Sequence, residues 1–542
     1  MEKLQPIEAA DRSADSLVRA DGGFHCATRT RLSALRLLPF CLLLVSRTVA
    51  ADLSVLKPAA FAHYIERFNA MEDENVTNFV ANAGSWDWLR KNIPWFECPD
   101  RAVEEMYYFR WWSFRKHVVQ TTNGFVFTEF LTPVRHAGID NTISCAAGFH
   151  LAEGRWLHDP VYLDDYTRFW LRGNGGKPQP HFHKFSSWFA VAVYDRYLVT
   201  QDRGSVTNLL DDLAADYRAW EQEHRLANGL FWQFDVRDGM EESISGSRTN
   251  KNARPTINCY MFANAQAIAN LARLAGRPEL AGEFDAKAAD LKRLTQSGLW
   301  DDQAKFFRVR FENGRLSDTR EEIGFIPWMF ELPDPGQGYE AAWAQLTDLQ
   351  GFQAPYGLTT AERRSPQFRS HGYGTCEWDG AVWPFATSQT LVALANVLRD
   401  YPQNVVTPND YFDVFLTYVR SQQADGKPYI GEYLDEITGQ WINGRGGRSR
   451  YYNHSTFADL LITGVVGLRP RADDTVEVQP LLPGGVWDWF CLDGVQYHGH
   501  TLTIVWDQDG KHYGRGAGLV VLADGKQIAK AERLERVTGK LP

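Results

Sequence analysis

The chain is poor in cysteine and methionine, with 7 and 6 among 542 residues. Cys26 and Cys41 fall in an N-terminal stretch that reads as removable. Cys98, Cys145, Cys259, Cys376 and Cys491 remain, odd in number, widely spaced and without a C-x-x-C pair. That pattern excludes a disulfide-stapled scaffold and a thiolate zinc site. It leaves buried free thiols, with one disulfide open. His181 and His183, two residues apart, lack the spacing of a metal pair, and no metal or organic cofactor is expected. Long basic runs are absent too. A formal net charge of −10 and a pI near 5.8 exclude a nucleic-acid footprint and suit a neutral polyhydroxylated ligand. The apolar run at 37–45 is too short to span a bilayer. No transmembrane helix follows it, so no membrane partner is expected once it is removed. No low-complexity tract or repeat period appears beyond a loose rhythm of paired helices.

What is abundant is aromatic. Hydrophobic residues make up 44% and aromatics 13%, including 19 Trp. The length allows one large domain and a smaller one, with a sizeable core. Indole and phenol rings can fill that core, and they can equally stack on the flat apolar faces of sugars. The beginning of the chain reads as an export leader over residues 1–50. Arg29, Arg31 and Arg36 precede the apolar run, and Thr48-Val49-Ala50 resembles a cleavage site, giving a mature start near Ala51. The stretch before Arg29 is long for such a leader, as a start codon assigned too early would leave it. The implied location is secreted or periplasmic.

From residue 58 onward the periodicity is helical. Phe61, Tyr64, Ile65 and Phe68 recur at i, i+3, i+4, i+7, and Asp100 is placed to cap a helix through Met106, Tyr107 and Trp111. Further helices are predicted over 186–197, 206–220, 258–272, 280–294, 339–349, 383–398, 411–422 and 455–465. Long loops over 172–180, 235–253, 351–371 and 439–453 separate them and recur at alternate helix junctions. Loops this long in a compact domain are usually functional. Beyond Pro470 the pattern changes to short strands over 476–479, 495–497, 502–506 and 519–522, with Asp509-Gly510 and Asp524-Gly525 as hairpin turns. The expected organisation is therefore a helical domain over 51–471 and a small β domain, sandwich-like, over 472–542.

Three segments carry acids in settings suited to chemistry. Asp238, Glu241 and Glu242 lie around Gly239 in a loop entered through Phe231, Trp232 and Phe234. A carboxyl desolvated by aromatics holds its proton to higher pH and can act as an acid. Glu432 sits between Tyr429 and Tyr433, ahead of an acidic turn at 435–439. Trp378 and Trp383 flank Asp379 ahead of a predicted helix, a pattern in which rings can stack on a sugar while the carboxylate accepts from its hydroxyls. Exposed acids in loops are often only solvated, and tryptophans are often core, so each segment alone carries little. Elsewhere, Arg110 and Trp112 lie in an aromatic run, 108–112, that can line a site or fill the core. Tyr452 and His454 follow the Glu432 loop and can reach substrate hydroxyls or serve in a cap. Glu153 and Arg155 read as an ion pair inside the helical domain.

As a set, these segments resemble glycoside hydrolase family 63 and its mannosylglycerate-hydrolase-like and trehalase-like relatives, over roughly residues 180–470. The family's Gly-Met/Leu-Asp-Asn-Ser loop, whose Asp is the general acid, is similar to Gly239-Met240-Glu241-Glu242-Ser243. The Asp-to-Glu change nominates Glu241 and leaves Asp238 or Glu242 open. Its Trp-Arg-Gly-Pro-x-Trp-Pro segment resembles Trp378-Asp379-Gly380-Ala381-Val382-Trp383-Pro384, with Asp in place of Arg. Its Glu-x-Tyr-x-x-x-Thr-Gly segment, which carries the base, is matched by Glu432-Tyr433 ahead of Thr438-Gly439. The resemblance implies an (α/α)6 barrel and an inverting glycosidase on an α-linked glucoside or mannoside, with Glu241 and Glu432 catalytic; the long loops can form a pocket or a cleft, and exo action is the reading preferred. Asp238, Trp378, Asp379, Trp383, Trp112, Arg110, Tyr452 and His454 would bind substrate. Two rivals remain. A polysaccharide lyase on an α/α toroid would use a Tyr or His base, and a non-catalytic glycan-binding protein would need no carboxyl pair.

Overall fold

In the computed structural model, which describes residues 54–370, 376–442 and 447–542, most of the helices read from the sequence are present, and the cap read at Asp100 is formed. The export leader expected over residues 1–50, with Cys26 and Cys41, lies outside the described residues. Two short helices, α1 (Ala62–Ala70) and α2 (Ser85–Asn92), lead to α3 (Arg101–Lys116), where Asp100 accepts from the backbone N–H groups of Ala102 and Val103 as its position predicted. The chain continues through α4 (Ala147–Gly154), α5 (Val161–Arg172), α6 (Phe189–Thr200), α7 (Arg203–Thr207), α8 (Leu210–His224) and the single turn α9 (Asp235–Asp238). Then come α10 (Pro255–Leu274), α11 (Pro278–Leu299), α12 (Ile326–Met329), α13 (Pro384–Asp400), α14 (Pro408–Ser421) and α15 (Ala458–Leu460), which runs on as a π-helical turn over Leu461–Val466. Proline opens α10, α11, α13 and α14, where its missing N–H costs nothing and its fixed φ suits the first turn. Thr407 and Asp410 close a capping box at α14.

Six of these helices form a closed ring. α4 packs on α6, α6 on α10, α10 on α12, α12 on α13, α13 on α15, and α15 back on α4. Outside it, α8 and α11 lie on α10, α14 on α13, and α3 on both α14 and α15. This is the helical toroid that the family resemblance implied. Its inner helices are buried on nearly every side: along α10, sixteen residues from Pro255 to Ala272 are buried. That burial explains why their sequences are apolar almost throughout rather than along one stripe. Glu153 and Arg155 do not pair with each other. The Glu153 carboxylate accepts from the backbone N–H groups of Phe457, Ala458 and Asp459, capping α15, while Arg155 binds the Asp459 carboxylate at 2.7 Å. An N-terminus buried inside a toroid has no water for its donors, so a carboxylate from the neighbouring helix supplies the acceptors.

Three predicted helices differ in detail. The one expected over 206–220 spans the end of α7 and most of α8, with the break at Asn208 and Leu209 between them. The one expected from 186 begins at Phe189, because the Ser186 N–H donates to the Arg237 carbonyl and ties that residue to the α9 loop. The one expected over 339–349 is a 3-10 segment, Tyr339–Gln345, which ends where the Asp348 side chain accepts from the Gln350 N–H and turns the chain. The C-terminal strands form a five-stranded antiparallel sheet in the order Trp95–Glu97, Trp489–Tyr497, His500–Asp507, Gly518–Ala523, Lys526–Ala531, and a three-stranded sheet of Leu468–Arg469, Thr475–Val478 and Val537–Lys540. Asp524 and Gly525, at φ 49° and 75°, make the predicted two-residue hairpin. The larger sheet takes in a strand from ahead of α3, and Phe96 of that strand packs near Trp487, so the β region is stitched to the helical one. Among the described residues the five cysteines are free thiols, and no helix is long and apolar enough to cross a membrane.

Candidate active site

Loops that lead into the inner helices meet at one end of the ring and enclose a cavity of about 50 Å³. On the acid side, α9 ends at Gly239, whose φ of 72° turns the chain against Cys145, and Glu241 follows in the cavity wall. The same turn sends Asp238 the other way. Its carboxylate is buried against Arg254 at 2.6 Å and also accepts from the Thr256 hydroxyl, at the first turn of α10. Glu242, at φ 64°, pairs with Arg248 at 2.9 Å. Of the three acids that the sequence left open, Glu241 is the one that lines the cavity.

On the facing side, Glu432 lies in a loop held by bridges from Leu434 to both Val382 and Trp441. Asp435 accepts from the N–H groups of Ile437 and Thr438, making the turn read at 435–439. The Glu432 carboxylate receives Arg448 at 3.0 Å and the Ser449 hydroxyl at 3.2 Å. Both contacts favour its ionised form. Glu241 is in the opposite setting. Burial first, and the negative charge of Glu432 with it, push its carboxyl up from 4.5 to about 7, against a hydrogen bond from its own backbone and the weaker pull of Arg248 and Arg448. The cavity thus holds one carboxyl that keeps its proton up to about pH 7 and one paired with a cation, the division of labour that acid and base roles require.

The remaining predicted residues divide. Trp383, Tyr452 and His454 line the cavity. Burial holds the Tyr452 phenol and the His454 imidazole in their neutral forms. Trp378 stands behind Trp383, stacked at 4.4 Å, and Trp383 stacks in turn on Tyr433 at 4.5 Å, so these rings brace the wall. The backbone N–H of Trp378 donates to the Glu241 carbonyl, tying the two motifs together. Asp379 is fully buried and accepts from the Ser370 hydroxyl. Arg110 and Trp112 lie away from the cavity wall. Arg110 bonds Tyr418, Gln422 and the Ser455 carbonyl, and the Trp112 indole donates to Asn69.

Sequence reasoning missed Glu129, Arg448, His136 and Cys145, all in the wall. Glu129 sits between Phe127 and Phe130, the same acid-among-aromatics signal that singled out Glu432. Arg448 lies two residues before Arg450, which pairs with Glu72 outside the wall. Among the described residues no group of three or more His, Cys, Asp or Glu side chains is placed to hold a metal ion.

The fold is a toroid of helix pairs, with two carboxyls in contrasting settings at one mouth. Residues 139–455 match the mannosylglycerate hydrolase MGH1-like glycoside hydrolase domain, and the chain belongs to that family. Residues 468–529 match the C-terminal domain of glycosyl hydrolase family 65. A solved structure named sialidase superposes with a TM-score of 0.89 at 51% identity, over 91% of this chain and 46% of the other, so the present chain spans about half its length. The GH78 family rhamnosidase of Bacillus sp. GL1 (TM-score 0.57, 13% identity, 79% of this chain and 41% of that one) is similar in fold. So is an uncharacterized conserved protein from Thermus thermophilus (0.50, 16%, 66% and 98%).

Proposed function

We propose that this protein is an exported glycoside hydrolase in which Glu241 protonates the leaving oxygen and Glu432 activates a water for attack on the sugar. The observation that carries this reading is the placing of both carboxyls in one cavity in opposed electrostatic settings, one desolvated beside a like charge and one paired with Arg448. Inversion of configuration follows from the water-activating role of Glu432. The cavity is walled by loops from several sides of the ring, which suits a terminal sugar and hence exo action. The α-linkage is carried over from the family resemblance. A cavity of about 50 Å³ has room for the attacking water.

Arg448 favours a second reading of the sugar alone. A guanidinium in the wall also suits an acidic sugar, and the similar structure at 51% identity bears the name sialidase. Sialosides therefore belong in the test beside α-glucosides and α-mannosides. The experiment is a glycoside panel with the protein, Glu241→Gln and Glu432→Gln, in which proton NMR reads the anomer first released. Turnover by the parent protein with inverted product, lost in both variants while they remain folded, is the expected result. Retained configuration would overturn the role of Glu432. An unsaturated, ultraviolet-absorbing product would replace the reading by a lyase, and binding without turnover would replace it by a glycan-binding protein.

A further inference from the structure

The acid and base account leaves unused a third carboxyl in the same wall. Glu129 follows the hairpin of Val118–Thr121 and Gly124–Phe127 and is 3% exposed. Its backbone is fixed on both sides: its N–H donates to the Asn141 carbonyl at 3.2 Å, and its carbonyl accepts from the Asn453 N–H at 3.0 Å. The side chain therefore has a set position in the cavity. The Tyr452 phenol shares the wall with it, and Oε2, buried, has no hydrogen-bond partner.

The charges facing Glu129 decide its form. Glu241 and Glu432 are the acids nearest to it, Cys145, Tyr452 and His454 are neutral, and the Arg448 guanidinium binds Glu432 rather than Glu129. A third anion here would be desolvated, repelled by its neighbours and without a cation of its own, so the neutral acid is favoured. A neutral carboxyl has one O–H to donate, and a buried polar atom left without a partner is costly until a ligand or water meets it.

We propose that Glu129 is a substrate-binding residue which, as a neutral carboxylic acid, donates a hydrogen bond to a hydroxyl oxygen of the sugar in the cavity. This rests on the reading of the cavity as the sugar site. Gln keeps a neutral donor at the same reach, whereas Leu keeps the volume and removes the donor. On whichever glycoside of the panel the parent protein cleaves, Glu129→Gln is expected to keep kcat/KM within about threefold, and Glu129→Leu to lose roughly ten- to a hundredfold, mostly in KM.

A loss beyond about a hundredfold in Glu129→Gln would overturn the proposal, because it would require the carboxylate itself, as a base toward Tyr452 or the sugar. Parent-like kinetics in Glu129→Leu would overturn it too. An infrared difference spectrum between the parent protein and Glu129→Gln at neutral pH needs no turnover and stays decisive if the Leu variant fails to fold. The proposal requires a protonated-carboxyl C=O band that the Gln variant lacks, and a carboxylate band in its place would refute it.

Discussion

At the scale of single residues, two neighbouring acids three positions apart do opposite work. Glu241 carries the titration. Its carboxyl is raised in the folded chain, from 4.5 to about 7, so the stability this group contributes is full below about 4.5 and is lost as pH rises through about 7. Glu241→Gln removes that loss. The melting temperature of the parent protein is expected to fall relative to the variant across this window, and parallel curves would show that Glu241 is not desolvated. Hydrolysis, which needs the protonated acid, is expected to decline above about pH 7 for the same reason. Asp238 is structural. Removing it as Asp238→Ala leaves Arg254 buried without its closest partner, at a cost of about 3–5 kcal/mol, readable by denaturant unfolding. A change under about 1 kcal/mol would mean that the Ser243 hydroxyl, 3.3 Å from the guanidinium, holds Arg254 unaided.

Among elements, the helix starts were legible and the reasons for the exceptions lie in tertiary contacts. Asp100 was read as a cap; Pro255 and the Thr407 capping box act as locally, although the last was not read and its helix was placed from 411. The start of α15 has no local cap, because its acceptors come from Glu153 on α4, about 300 positions earlier in the chain. Glu153→Gln, whose amide offers one acceptor oxygen in place of two, is expected to cost about 1–3 kcal/mol of stability while α15 stays helical. An unchanged unfolding midpoint would assign the cap to water instead. The same limit applies to the site. Glu432 stood out because Tyr429 and Tyr433 flank it, and Glu241 because it holds the acid's place in the family motif, in a loop entered through Phe231, Trp232 and Phe234. Arg110 and Trp112 looked equally suitable, but the helix they share turns them toward α14 and Asn69. Arg448 was invisible because its partner lies across the cavity wall rather than beside it in the chain.

For the whole molecule, ring closure turns scattered loops into one site. The walls come from residues as far apart as Glu129 and His454, and only the circular order of α4, α6, α10, α12, α13 and α15 brings them together. The β region was visible as hairpin signals, but its recruitment of Trp95–Glu97 was not, since a three-residue strand gives almost no alternation to read. If the leader reading is right, protein secreted by an expressing cell begins near Ala51. N-terminal sequencing checks this, and an intact beginning at Met1 on exported protein would refute it.

The claim on which everything turns is that Glu241 gives the proton and Glu432 does not, and leaving-group dependence tests it directly. Kinetics of the parent protein, Glu241→Gln and Glu432→Gln would be compared on an alkyl glycoside and on an aryl glycoside whose leaving group departs unassisted. Glu241→Gln should lose about 10²- to 10⁴-fold on the alkyl substrate and far less on the aryl one, while Glu432→Gln loses heavily on both. Equal losses of Glu241→Gln on the two substrates, or sparing of Glu432→Gln on the aryl glycoside alone, would contradict the assignment.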